Sequence, residues 1–226
     1  MTKRVPRIGL MVPSSNTVME VDFNRELSNR YSVHTARMYM VETTRAAEIA
    51  MVETFAPEAA RDLGTINPDL IVFGCTSAGS LFGAAYDAEV CERLGQIAGA
   101  PALGVLTAVG EALDAAPGKR LAVITPYVED LTNSVARAAA SNGRRVVAAV
   151  GMGISDNVKL SDPTPEDIVE FATTSLADVD FDLLLVSCTN FRALEALETM
   201  EHRFQVPVVT SNSAIIDAVV RRLDAH

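Results

Sequence analysis

Two short segments of this chain place a cysteine directly after an apolar run and directly before small or hydroxyl-bearing residues. They are Leu70-Ile71-Val72-Phe73-Gly74-Cys75-Thr76-Ser77 and Leu183-Leu184-Leu185-Val186-Ser187-Cys188-Thr189-Asn190. A thiol where a buried strand gives way to a helix sits among unpaired backbone N–H groups. Their positive potential favours thiolate over thiol and can hold an anion. One such cysteine reads first as core, because free Cys is among the most commonly buried residues. Two at equivalent positions, each followed by Thr, read as a working pair. Thiols on opposite sides of a small molecule suit proton transfer at a carbon acid, or addition to one face of a double bond. One sulfur attacks or deprotonates and the other donates a proton. Cys91, mid-helix in Ala88-Glu89-Val90-Cys91-Glu92-Arg93, has no counterpart elsewhere and reads as core.

The equivalence rests on an internal repeat. Arg7–Pro13 aligns with Arg120–Pro126, and Asp69–Thr76 with Asp182–Thr189, both at an offset of 113, which is half of the 226 residues. The physical reading is two similar α/β lobes about a pseudo-two-fold axis. Each lobe offers the C-terminal end of its third strand to one cleft, where ligands of open α/β sheets bind. The elements that must do this alternate along the chain. Predicted strands are Arg7–Val12, Ser32–Met38, Leu70–Gly74, Ala102–Val105, Leu121–Thr125, Arg145–Val150, Leu183–Ser187 and Val206–Val209. Predicted helices include Val18–Ser28, Tyr86–Ile97, Pro165–Leu176 and Ser213–Leu223. Apolar strands alternating with amphipathic segments mean parallel sheets covered on both faces. The expected architecture is therefore two pseudo-symmetric doubly wound lobes, each with a parallel four-stranded sheet, and an active site in the cleft between them. Lobe one is expected to take residues 1–103 with 212–226, and lobe two residues 104–211.

Composition excludes several classes of function. The 19 Lys and Arg against 29 Asp and Glu give a net charge of −10, which repels nucleic-acid phosphates and anionic lipid. No apolar run approaches the roughly 20 residues of a membrane span, and the short stretch Ile8–Val12 runs into Pro13 as a strand would rather than as a leader. Three separated cysteines imply free thiols and a cytoplasmic setting. With no Cys-x-x-Cys and with scattered histidines, His34 and His202 among them, no metal site is expected.

Five segments carry a family resemblance: Val12–Glu20, Gly74–Gly79, Thr125–Tyr127, Ser187–Asn190 and Pro207–Ser213. In these the sequence resembles the aspartate/glutamate racemase superfamily and, within it, the maleate cis–trans isomerase branch. The resemblance implies cofactor-free conversion of maleate to fumarate. Cys75 would add to an alkene carbon, leaving a succinyl-like adduct whose former double bond can rotate, and Cys188 would supply and recover the proton at the neighbouring carbon. It implies substrate-binding roles for Asn16, Tyr127 and Asn157, with Thr76, Ser77, Thr189 and Asn190 adding backbone or hydroxyl donors. It also implies a small dicarboxylate as substrate and a homodimer as the assembly. Neutral donors suit a diacid held while charge moves through an enolate-like intermediate, since a fixed cation would stabilise substrate and intermediate alike. Each binding residue has a plainer reading beside this one. Asn16 could cap the following helix, Tyr127 could cover the cleft wall, and Asn157 could be a turn residue.

Three competing functions follow from the same residues. A racemase of an amino-acid or hydantoin-like substrate would use both cysteines for two-base proton transfer, and would need acceptors for an amino group. A decarboxylase branch of the resemblance keeps only the second-lobe cysteine, so Cys75 argues against it. A two-lobed protein that merely closes on a small acid would need neither thiol.

Overall fold

A parallel strand covered on both faces must be apolar on both, and β1 (Arg7–Pro13) meets that requirement. Its Ile8, Leu10 and Val12 face one core while Met11 faces another, all fully buried. The computed structural model describes residues 4–140 and 143–225, with backbone alone at residues 80–82 and 84. After β1 come α1 (Met19–Leu27), β2 (Ser32–Met38), α2 (Arg45–Ala50), α3 (Ala56–Gly64), β3 (Leu70–Phe73), α4 (Thr76–Phe82), α5 (Ala84–Ala98) and β4 (Ala102–Gly104). The chain continues through α6 (Val105–Ala115), β5 (Arg120–Tyr127), α7 (Glu129–Ala139), β6 (Arg145–Ile154), α8 (Pro165–Ser175), β7 (Leu183–Val186), α9 (Ala193–Phe204), β8 (Val208–Thr210) and α10 (Ser211–Asp224).

The strands form two four-stranded, wholly parallel sheets, ordered β2-β1-β3-β4 and β6-β5-β7-β8. All eight expected strands are present, and the repeat governs their spacing. β1, β2 and β3 begin at Arg7, Ser32 and Leu70, and β5, β6 and β7 begin 113 residues later at Arg120, Arg145 and Leu183. The symmetry extends to single bonds. The Asp69 carboxylate accepts from the Arg7 N–H at 2.7 Å, as the Asp182 carboxylate accepts from the Arg120 N–H at 2.7 Å. At the other end of the strands the Gly74 N–H donates to Met11 O (2.8 Å) and the Ser187 N–H to Ile124 O (2.9 Å).

Local chemistry explains the helix starts. Thr164 and Asp167 cap α8 reciprocally, with Pro165 in the first turn, and Thr210 and Ser213 do the same for α10. The apolar pattern does not mark the helical stretch 45–64, because charges and Pro57 interrupt it. The chain crosses that interruption with a π-helical turn at Met51–Phe55, and Pro57 falls in the first turn of α3, where a missing N–H costs nothing. One apolar core runs unbroken through both sheets, from Ile8 and Leu10 through Val105 and Val109 to Leu184 and Ile215. A second covers the outer face of the first sheet, beneath α3 and α5. The closing helix α10 packs on α6 and α1, tying the chain's end back to its first half.

Candidate active site

Cys75 is delivered by a tight strand end. A Cβ on Gly74 would lie 2.6 Å from both Met11 O and Met19 Sδ, so only glycine lets the chain pass between β1 and α1. Cys75 itself is extended, at φ −129° and ψ 113°, and α4 begins at the next residue. The Ala78 N–H points at its sulfur, and Ser77 Oγ lies 3.4 Å away. Cys188 follows β7 in the same way and receives the Asn190 N–H at 3.3 Å. Here the expected helix does not follow at once: a turn intervenes and α9 starts only at Ala193. The Tyr127 hydroxyl, from the end of β5, donates to the Cys188 sulfur and lies within electrostatic reach of Cys75. Both strand ends therefore meet around one tyrosine, with Cys75 2% and Cys188 3% exposed.

The expected thiolate preference does not hold. Burial pushes the Cys75 thiol well above its ordinary value, and the Glu48 carboxylate raises it further. Burial likewise lifts Cys188 to about 12, against the opposing hydrogen bonds from Tyr127 and the Asn190 N–H. A few aligned N–H groups do not offset the loss of water around a charged sulfur. Cys91 is buried inside α5 and its thiol is raised by desolvation, in accord with a core role.

Glu48 is the residue that sequence reasoning missed. It lies on α2, wholly buried, where it accepts a hydrogen bond from the Cys75 thiol at 3.6 Å and a short one from Ser77 Oγ. Desolvation raises its carboxyl to about 7, against those two bonds. No cation pairs with it among the described residues. Arg45-Ala46-Ala47-Glu48-Ile49-Ala50 holds no motif for a buried acid, and the one signal is that Met51 and Val52, three and four residues on along the same helical face, are apolar and fully buried.

The polar residues expected to bind substrate converge on the same seam. Asn16 Oδ1 accepts from the N–H groups of Val18 and Met19 at 3.0 Å each, so it does cap the entry to α1, while its Nδ2 donates to Thr189 Oγ1 at 3.1 Å. Thr189 Oγ1 in turn donates to Gly74 O at 3.2 Å, joining the two cysteine turns directly. Asn190 Oδ1 accepts from the Thr17 N–H (2.8 Å), and its Nδ2 donates to Asn157 O (2.7 Å). Asn157 Nδ2 donates to Ser15 Oγ. The Thr76 hydroxyl instead turns toward Ser211 Oγ at 3.4 Å, and Ser77 is engaged with Glu48 and Cys75.

The segment leading into α2 reaches across to the second lobe. Glu42 bridges to Asp156, and Thr43 Oγ1 donates to Ser155 O at 3.2 Å, which draws residues 41–44 across to the second lobe. A surface cavity of about 430 Å³ lies there, rimmed by the exposed Val41 and Val128. Among the described residues no cluster of His, Cys, Asp and Glu is arranged to hold a metal ion, and no helix is long and apolar enough to cross a membrane.

Comparison with known proteins places this geometry. A maleate isomerase of Pseudomonas putida is 29% identical over 231 residues, covering 96% of this chain and 92% of that protein. The crystal structure of the maleate isomerase Iso from Pseudomonas putida S16 matches at a TM-score of 0.90 and 26% identity, over 98% of this chain and 94% of that one. A serine-for-cysteine variant of the Nocardia farcinica maleate cis–trans isomerase, with a covalently bound succinylcysteine intermediate, matches at 0.88 and 25% identity, over 98% and 94%. A family model described as arylmalonate decarboxylase matches residues 8–226, nearly the whole chain, and the protein belongs to that family.

Proposed function

We propose that this protein is a cis–trans isomerase that converts maleate to fumarate through a covalent adduct on Cys75. The observation that carries the reading is the meeting of two buried, repeat-related cysteines around Tyr127, in a chain whose near full-length relatives include maleate isomerases. Cys75 Sγ adds to one alkene carbon, and the π pair moves to the neighbouring carbon and its carboxylate. The Cys188 thiol delivers a proton there, and Tyr127 stabilises the thiolate it leaves by donating to it. Rotation about the new single bond, return of the proton to Cys188 and departure of Cys75 give the trans diacid. Asn16, Asn157, Thr189 and Asn190, with Thr76 and Ser77 in lesser roles, supply neutral donors to the substrate carboxylates. The homodimer and the cytoplasmic setting expected from the sequence belong to the same reading, and sedimentation velocity tests the first.

The test is incubation with maleate in D₂O followed by proton NMR, beside aspartate and an arylmalonate. Fumarate is the expected product. Cys75→Ser and Cys188→Ser are each expected to lose turnover, and Cys188→Ser to carry maleate as a covalent addition on the Cys75 peptide by mass spectrometry. No fumarate from maleate, with exchange of the aspartate α-proton, would assign the racemase reading instead. One observation leans that way, because Glu48 brings an acceptor into a site of donors. Its two oxygens are, however, already engaged by Ser77 and Cys75.

A further inference from the structure

We infer that Glu48 is the base that takes the thiol proton of Cys75 as that sulfur attacks. The inference rests on the reading of Cys75 as nucleophile and adds a group that the expected cysteine and donor set does not contain. A buried thiol cannot enter the reaction as a free thiolate without the cost of an isolated charge in an apolar site. A carboxylate already in that site removes the difficulty, because transfer of the proton leaves the net charge of the pair unchanged. The geometry is in place. Glu48 Oε2 accepts from Cys75 Sγ at 3.6 Å, while Ser77 Oγ holds Oε1 and also lies 3.4 Å from the sulfur. As the C–S bond forms, the S–H bond breaks and its proton passes to Oε2. On elimination the C–S pair returns to sulfur and the carboxylic acid gives the proton back, so no net proton is exchanged.

The surroundings leave this role to Glu48. The titratable groups facing it are Cys75 and, from the second lobe, Cys188 and Tyr127, all of which are uncharged when protonated. α4, which packs on α2, has no charged residue. Of the nearby charges, Arg45 is exposed and Glu53, in the π-helical turn, pairs with Arg93 at 2.8 Å. The placement also explains why the site needs a base, since the same burial that hides the sulfur suppresses its own ionisation.

The experiment is alkylation of the full-length protein by iodoacetamide between about pH 5 and about pH 10, read at the Cys75 peptide by mass spectrometry, beside maleate turnover. Wild type and Glu48→Gln are compared after circular dichroism of both. In wild type the Cys75 rate is expected to rise through a limb near pH 7, where Glu48 ionises. Glu48→Gln is expected to lack that limb, to alkylate about tenfold or more slowly at neutral pH, and to lose about 10²-fold or more in turnover. Both deficits are expected to shrink at high pH as the thiol ionises unaided. Alkylation of Glu48→Gln at neutral pH as fast as wild type, or faster, overturns the inference, because a carboxylate that merely repels the thiolate gives that sign. If Glu48→Gln does not fold, Glu48→Asp keeps the charge but draws it back from sulfur. It is expected to slow alkylation at neutral pH, and no slowing overturns the inference. A Glu48-dependent limb in a protein that converts no maleate supports the base and defeats the substrate reading. Equal maleate turnover in wild type and variant does the reverse.

Discussion

At the scale of single residues, burial dominates the chemistry. The sulfurs, Tyr127 and Glu48 all lie out of water, and each is displaced toward its uncharged form. For Glu48 this has a consequence for stability. Its folded pKa stands near 7 against an ordinary 4.5, so the folded chain keeps a proton that the unfolded chain has already lost. Stability contributed at this position is therefore present below about pH 4.5 and falls by ~3 kcal/mol as pH rises to about 7, with no further change above. Glu48→Gln removes that titration. It is expected to gain on wild type in urea unfolding between pH 5 and pH 8, and a difference that stays constant over the interval would place the burial cost elsewhere.

At the scale of elements, the strand ends carry the site and the strand beginnings hold the strands in place. Asp69 and Asp182 receive the first N–H groups of β1 and β5, and each also meets an arginine, Arg4 and Arg120 respectively. Those bonds favour the charged form and hold both carboxyls below the usual range, although burial opposes them. The stabilisation is thus present above the ordinary value of about 3.9 and is lost as pH falls through the lower folded values. Asp69→Asn and Asp182→Asn are expected to lower Tm at neutral pH, with the deficit closing in strong acid, which scanning calorimetry at a series of pH values reads directly. Gly74 is the other exacting position. A methyl at residue 74 collides with backbone on one side and a methionine sulfur on the other. Gly74→Ala is expected to cost about 1–3 kcal/mol in stability and to displace Cys75 enough to lower turnover more than it lowers maleate binding.

At the scale of the whole molecule, the two lobes are joined by one core and by a polar seam that runs through the site. Asn190 is its centre, since it receives the Thr17 N–H and donates to Asn157 O, bridging loops from both halves. Asn190→Ala would leave a main-chain donor and a carbonyl without those partners at about 1–3 kcal/mol for each that stays buried. A fall in the urea midpoint together with lost turnover is the expected outcome. Both sulfurs are buried, and the segment from Val41 to Glu48 is tied to Ser155 and Asp156 of the second lobe. Hydrogen exchange in that segment is expected to be faster than in β1 and β3, and to slow when maleate is added.

Much of this was legible in the order of residues. The 113-residue repeat, the apolar strands and the two Cys-Thr turns determined the two four-stranded parallel sheets and the equivalent strand-end positions of Cys75 and Cys188, because strand periodicity and strand-end position are local properties. The same locality explains what was not legible. Glu48 looks like any helix-surface acid until α2 folds down over Cys75, and Asn16 and Asn190 name their partners only once residues 173 positions apart have met. The acidity of the thiols lies outside the sequence for a related reason: an N–H group at a strand end is a local feature, whereas the exclusion of water around a sulfur belongs to the packed structure alone.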